Sequence, residues 1–300
     1  MQSFQLKLQP LALTPIRHET AIASCDTSTI KIGETTTGIL IAVRGASVIK
    51  QNKHYTYTRF GPFIFHITEE NKRDLHTSLE QAYFGSHNEK SQNYYANLLQ
   101  MPTRIASILE RWLQTSLART MSNGIILFDG SLTAGTSETP THRLKQILNY
   151  ANERANVVLA FSKMTTLRIN GYLITDVPLG HKPPFMLETA GLKPKPPIVL
   201  LGDVYVARFT CGNIAFRLDI SREQPTEQKI EAVNRLLGND VISESYPETL
   251  RLAHILCTFT ANEVIAMQHY STRRYGVRII NRPDMHRLLF GPFGKGEYFS

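Results

Sequence analysis

The feature that most constrains the fold is the uninterrupted apolar run Ile125-Ile126-Leu127-Phe128, which stops abruptly at Asp129-Gly130-Ser131. A strand with apolar residues on both faces is one that other elements cover on both sides, which is the condition of a central strand in a layered α/β sheet. Thr141 to Arg154 then has the pattern of a helix, and Val157 to Phe161 is a second short buried strand. A strand, helix, strand order of this kind predicts a parallel pair joined by an α crossover.

The preceding segments predict a different kind of pairing. Thr20 to Asp26, Thr37 to Ala46 and His54 to Ile67 alternate in strand fashion and are joined by short connections, which predicts an antiparallel meander. Between Lys72 and Arg119 the period becomes helical, with Ile105, Ile108, Leu109, Trp112 and Leu113 forming one apolar stripe and Pro102 near a helix start. Val199 to Phe209 and Asn213 to Ile220 read as a hairpin, and Thr226 to Leu237 and Pro247 to Cys257 as helices. Six of the fifteen prolines fall between Pro178 and Pro197, so 178–197 is expected to be a loop or flap outside the middle of any sheet. The whole is expected to be one α/β domain, an RNase H-like mixed β-sheet of antiparallel meander plus parallel strands flanked by helices. The tetrapeptide Phe-Gly-Pro-Phe occurs at Phe60 to Phe63 and again at Phe290 to Phe293 without any surrounding repeat.

Lys and Arg exceed Asp and Glu by 33 to 25, a formal net charge of +8, which favours polyanionic partners. Cys25, Cys211 and Cys257 are odd in number, widely spaced and without a CxxC pair, so neither a disulfide framework nor a zinc site is indicated. With no cationic leader at the N-terminus and no run of about eighteen apolar residues, a cytoplasmic location away from membranes is expected. The absence of a GxxxxGK[ST] loop means that any ATP-driven movement must come from a partner.

Hydrolysis of a phosphodiester needs a water activated near neutral pH and charge stabilisation at the leaving oxygen, work that divalent ions roughly 3.5–4 Å apart can share. Such hard ions take oxygen ligands carried on rigid elements. Asp26 closes the first expected strand and Asp129 the fourth, so the two carboxylates converge if those strands are neighbours. Either residue also serves as an ordinary turn former. Glu110 sits on the flank of the Ile105/Leu109/Trp112 stripe, where it can lean towards a metal or remain a solvated glutamate. A helix beginning at Pro247 puts Leu250, His254 and Cys257 on one face and turns His254 to the interior, as a ligand or proton carrier or as a core histidine bonded to backbone. Tyr246 lies eight residues before His254, about 12 Å of helical rise, so the two have distinct roles. Lys163, Arg168 and Lys182 form a candidate basic track, with His181, Lys193 and Lys195 in the proline-rich stretch. Arg273-Arg274 with Tyr270 and Tyr275 offers the charge and stacking surface suited to single strands. Each of these patches reads equally as solvated surface.

Asp26 after its apolar strand, the helical Glu110, Ile-Leu-Phe-Asp-Gly-Ser-Leu from Ile126 to Leu132, Phe-Ser-Lys from Phe161 to Lys163 and Tyr-Pro-x-x-Leu-x-x-Ala-His from Tyr246 to His254 occur in one order. In that order and content, from about Ala21 to about Asn262, the chain resembles the NurA family of archaeal and bacterial DNA-end-processing nucleases. The resemblance implies an RNase H-like domain and manganese-stimulated (or magnesium-supported) 5′ to 3′ exonuclease action, with endonuclease action on single strands. It also implies a homodimer working in DNA end resection and double-strand break repair beside a hexameric HerA-type ATPase. By motif it assigns Asp26, Glu110 and Asp129 to the metal-binding carboxylates, with His254 as a further ligand, and Tyr246 and His254 to the C-terminal catalytic motif. Thr27 stands where the family carries glycine, and Glu80 and Glu89 are the other glutamates that could fill the place of Glu110. The competing expectation is a catalytically inactive, DNA-binding adaptor of a HerA-type motor. RNA as a substrate of the same chemistry also stays open, since nothing in these motifs reads a 2′-hydroxyl.

Overall fold

The computed structural model describes residues 5–6, 9–85, 97–136, 138–169, 171–176, 180–212 and 214–280. The first part of the chain forms β1 (Gln5–Leu6), β2 (Leu11–Ala12), β3 (Ile22–Glu34), β4 (Gly38–Gln51), β5 (His54–Thr68), α1 (Lys72–Phe84) and α2 (Met101–Thr120). The middle contributes β6 (Ile125–Asp129), β7 (Thr133–Ala134), α3 (Thr141–Glu153), β8 (Val157–Ser162), β9 (Arg168–Ile169), β10 (Tyr172–Leu173) and β11 (Phe185–Ala190). Then come β12 (Val199–Leu200), β13 (Gly202–Arg208), β14 (Phe216–Ser221), α4 (Thr226–Asn239), β15 (Ile242–Ser243), β16 (Tyr246–Pro247), α5 (Glu248–Cys257) and α6 (Ala261–Tyr275).

Ten strands make one mixed sheet in the order β1-β11-β13-β14-β8-β6-β3-β4-β5, with β2 also pairing β11. The β3–β4–β5 meander is antiparallel, β6 runs parallel to both β3 and β8, and β14, β13 and β11 continue antiparallel. This is the RNase H-like arrangement expected from the element order, with the β6–α3–β8 crossover at its centre.

The continuous apolar run of β6 follows from its two neighbouring layers. Ile126 and Phe128 face the cluster formed with Ile105, Leu109 and Leu113 of α2 and Leu144 and Ile147 of α3. Ile125 and Leu127 face the opposite cluster with Val233 and Leu236 of α4 and Leu250 of α5. All four are 0–2% exposed, which is why no polar residue interrupts the run. By the same alternation Ile22, Ser24 and Asp26 of β3 share the α4/α5 face, and Ala23, Cys25 and Thr27 the α2 face.

Two expectations need correction. Strand β3 does not end at Asp26 but runs on to Glu34, because beyond β6 it keeps β4 as a partner on its other edge, with Thr27 opposite Gly45 and Ile30 opposite Ala42. The stretch 178–197 is not wholly a loop. Phe185–Ala190 is strand β11, with β13 on one edge and β1 and β2 on the other, and the prolines on either side of it, Pro183 and Pro184 before and Pro194, Pro196 and Pro197 after, flank its ladder without interrupting it. Beyond those expectations, 261–275 is a helix, α6. It begins with a capping box in which Thr260 and Glu263 satisfy each other's backbone N–H groups. Phe290 to Phe293 and Glu89 lie outside the described residues.

A buried ion pair braces the centre. Arg217 of β14 donates from Nε and Nη2 to both oxygens of Asp219, 2.7 Å each, and Asp219 Oδ2 also accepts from the backbone N–H of Leu132 at 3.0 Å. Asp219 is fully buried. Replacing Asp219 by Ala leaves the guanidinium and the Leu132 N–H without an acceptor, and such broken buried pairs cost about 3–5 kcal/mol. The expected result is a lower urea midpoint at unchanged m value for Asp219→Ala.

Candidate active site

The end of β6 is built around Asp129. Gly130 has a φ of +110°, a conformation that side chains disfavour, and so allows the chain to turn directly after the aspartate. The Gly130 N–H donates to Phe161 O and the Ser162 hydroxyl to Gly130 O, both at 2.8 Å, while the Arg217–Asp219 pair holds Leu132 on the far side. The turn is thus bonded at each end to strands β8 and β14. Asp129 Oδ2 accepts from Lys163 Nζ at 2.7 Å, and the same ammonium lies 5.4 Å from the centre of the Tyr246 ring.

Parallel pairing puts the second carboxylate beside the first. Cys25 is in register with Phe128, so Asp26 and Asp129 occupy the next rung and point to the same face. Asp26 Oδ1 accepts from the Thr27 N–H and its Oδ2 lies 2.7 Å from His254 Nδ1. Thr27 also donates from its hydroxyl to Ala106 O of α2 at 3.4 Å, so this residue ties the strand to the helix that carries Glu110.

His254 does not face the interior, as the helical pattern suggested. Thr249, Leu250, Ala253 and Cys257 form the buried stripe of α5, and His254 stands on its flank with its side chain 54% exposed and its ring turned to Asp26. The pattern failed because the contact surface of α5 is narrower than the run of residues spaced three and four apart.

Glu110 reaches the strand ends from the α2 side. Its Oε1 accepts from Gln114 Nε2 at 3.0 Å, and Arg111 Nη2 lies 3.9 Å away. Burial raises its pKa, Arg111 opposes that, and the negative charges of Asp26 and Asp129 raise it further. Three carboxylates therefore feel one another at the end of β6. Tyr246 lies in β16, ahead of α5, wedged edge-on against Phe161 and tilted on Phe216. Its buried hydroxyl has no hydrogen-bond partner among the described residues. Burial, then the charges of Asp129 and Asp26, raise its pKa and keep the phenol protonated.

Of the sequence-derived candidates, Asp26 and His254 are in direct contact, as are Asp129 and Lys163, and Glu110 and Tyr246 lie within electrostatic reach of both aspartates. Arg168 instead donates to Gly171 O across the β9–β10 hairpin, and Lys182 is exposed ahead of β11. Neither is bonded to the carboxylates. Glu80 of α1 accepts from Arg143 of α3. Tyr270, Arg274 and Tyr275 stack loosely at the end of α6. Gln114 and Arg111, beside Glu110, carry no motif in the sequence, and Cys257, which the helical pattern only places on one face with His254, interacts through its thiol with Asp26. Gln114 is fully buried one turn after Glu110, and that placement on an amphipathic helix was the one signal available for it.

The donor set fits a divalent cation. Asp26 of β3, Asp129 of β6 and Glu110 of α2 stand on separate rigid elements with both aspartates within electrostatic reach of Glu110, which is the oxygen-donor chemistry such an ion takes, and an orphaned phenol hydroxyl feels both aspartates. Among the described residues the donor atoms that already lie within 4.8 Å of one another are those of Asp26, His254 and Cys257.

No family model matches the chain, and no curated protein matches it by sequence. Solved structures are similar to it. The NurA nuclease from Sulfolobus solfataricus aligns at 17% identity over 88% of each chain with a TM-score of 0.54. Another structure described as NurA aligns at 9% identity over 88% of this chain and 92% of that one, TM-score 0.45. Endonuclease V from Bacillus subtilis aligns at 11% identity over 88% of each chain, TM-score 0.36. The first of these establishes that the chain has a NurA-like fold.

The raised pKa of Glu110 has a defined sign in stability. The folded protein holds this proton to higher pH than the unfolded chain, whose glutamates titrate near about 4.3. Ionisation therefore favours unfolding, and stability falls as pH rises from that value through the folded pKa. Glu110→Gln removes this loss, so in metal-free buffer at pH 7 its Tm should exceed that of the wild type, with the difference vanishing at pH 4. A lower Tm at pH 7 would show that the site does not strain Glu110.

Proposed function

We propose that the chain is a divalent-metal-dependent DNA nuclease. The observation that carries the reading is the in-register parallel pairing of β3 and β6, which sets Asp26 and Asp129 side by side on one face with Glu110 arriving from the other. The NurA-like fold supports it, since the Sulfolobus solfataricus protein of that fold is described as a nuclease.

In this reading Asp26, Glu110 and Asp129 hold manganese or magnesium, with His254 as a further ligand or a proton carrier. The ion would polarise the scissile phosphate and make a bound water nucleophilic near neutral pH. Lys163 Nζ, now on Asp129, is placed to move to a phosphate oxygen when the carboxylate turns to metal. The Asp26 contact at His254 Nδ1 fixes the ring, and with the proton on that nitrogen Nε2 is left as the acceptor for a proton. The protonated Tyr246 hydroxyl has no acceptor of its own and is available to donate to a substrate oxygen or a water. Arg168 and Lys182 would contact DNA away from the carboxylates. Thr27 does not displace Asp26. Its N–H and hydroxyl both stabilise the strand there, which favours a working site over an inactive adaptor.

The wider role follows the same resemblance: 5′ to 3′ exonuclease and single-strand endonuclease action in end resection and double-strand break repair, as a homodimer beside a hexameric HerA-type translocase in the cytoplasm. No helix among the described residues is long and apolar enough to cross a membrane.

The test is cleavage of end-labelled single- and double-stranded DNA, with an RNA control, in manganese, magnesium or EDTA. Asp129→Asn should lose more than the roughly 10- to 100-fold typical of residues that only support a metal ligand, while DNA retention in a mobility-shift assay persists. Wild-type protein that binds DNA and never cuts it, even with manganese and a HerA-type motor present, would leave the adaptor reading.

A further inference from the structure

Two of the three cysteines have a place in the fold that explains them. Cys25 packs on the α2 face of β3 with Phe128 and Leu109, and Cys211 is exposed between β13 and β14. Cys257 is different: it is fully buried at the end of α5, yet the apolar clusters of the described residues do not include it. Its thiol donates to His254 O at 3.2 Å and interacts with the Asp26 carboxylate. Three residues separate it from His254 on one helix, so the two side chains lie on adjoining flanks of α5 where that helix crosses β3. One ligand atom from each of Asp26, His254 and Cys257 lies within 4.8 Å of the other two.

An oxygen, a nitrogen and a sulfur donor do not form a hard-ion set. Thiolate selects softer or borderline cations, and Zn2+ accepts all three donor types at bond lengths of about 2.0–2.3 Å in a tetrahedron with one place left for water. We infer that Asp26, His254 and Cys257 form a three-ligand site for a borderline cation such as Zn2+, overlapping the hard-ion site at Asp26 and His254. On binding, the S–H bond of Cys257 breaks, a sulfur–metal bond forms and the proton passes to solvent, with no change of oxidation state. Binding rests on the donor geometry alone. That the bound ion would exclude manganese from Asp26, and so silence cleavage, rests on the nuclease reading.

Co2+ added to the metal-free full chain is the first probe. One equivalent should produce the near-ultraviolet thiolate-to-cobalt band in wild type and in Cys211→Ser, and Cys257→Ser should lack it. A band that survives in Cys257→Ser and vanishes in Cys211→Ser would overturn the site. Zinc-edge X-ray absorption on wild type needs no variant: the expected first shell contains one sulfur at about 2.3 Å among lighter donors, and a shell of nitrogen and oxygen alone would sink the proposal. Neither readout involves DNA, so both stand or fall apart from the nuclease reading. If manganese-supported cleavage is observed, stoichiometric Zn2+ should suppress it, and full cleavage with zinc bound would refute the overlap of the two sites.

Discussion

The parallel pairing of β3 with β6 is the constraint on which the site depends. A parallel ladder in register brings equivalent positions of two strands side by side, so a carboxylate at the rung beyond Cys25 and one beyond Phe128 point the same way without help from any loop. The strands then part company. Strand β6 turns away at Gly130, whereas β3 continues along β4 with α2 and α5 packed against it. Apolar layers on both faces fix this geometry, since a slip of one residue would turn Asp26 and Asp129 to the α2 face and Cys25 and Phe128 away from it.

Carboxylates gathered at the end of the central strands repel one another, and the structure offsets each differently. Asp129 has an ammonium, Asp26 an imidazole and a backbone N–H, and Glu110 an amide with a guanidinium farther away. Burial and the charges of Asp26 and Asp129 raise the pKa of Glu110 against the pull of Arg111. None of these contacts encloses its carboxylate completely, and Lys163 and His254 remain about half exposed. Partners of this kind can exchange for a metal ion or a phosphate, which is the property the proposed chemistry requires.

Support for the Asp129 turn comes from farther away. Ser162 on β8 and Asp219 on β14 bond the turn from two strands, and Arg217 holds Asp219 in place. The antiparallel extension of the sheet, β14 in particular, therefore stabilises the carboxylate end of the central strands as well as adding core area.

Much of this architecture was legible in the sequence because it follows from local periodicity. The run 125–128 announced a strand covered on both faces, the stripe from Ile105 to Leu113 a helix packed on it, and Asp129-Gly130 the point where the strand stops. Periodicity could not say where a strand ends if only one of its two neighbours ends, so β3 was read eight residues short. Nor could it show that prolines flank β11, since proline density marks broken ladders without saying on which side of a strand they break. The convergence of Asp26, Glu110, Asp129 and His254, which are up to 228 residues apart, was suggested by motif order. Its geometry is a property of register and helix docking, and no local signal encodes either. The rotation of α5 that turns His254 outward to Asp26 and brings Cys257 beside them was decided by tertiary packing alone: a helix with apolar residues on adjoining flanks can dock in more than one rotation, and only the surface it meets selects one.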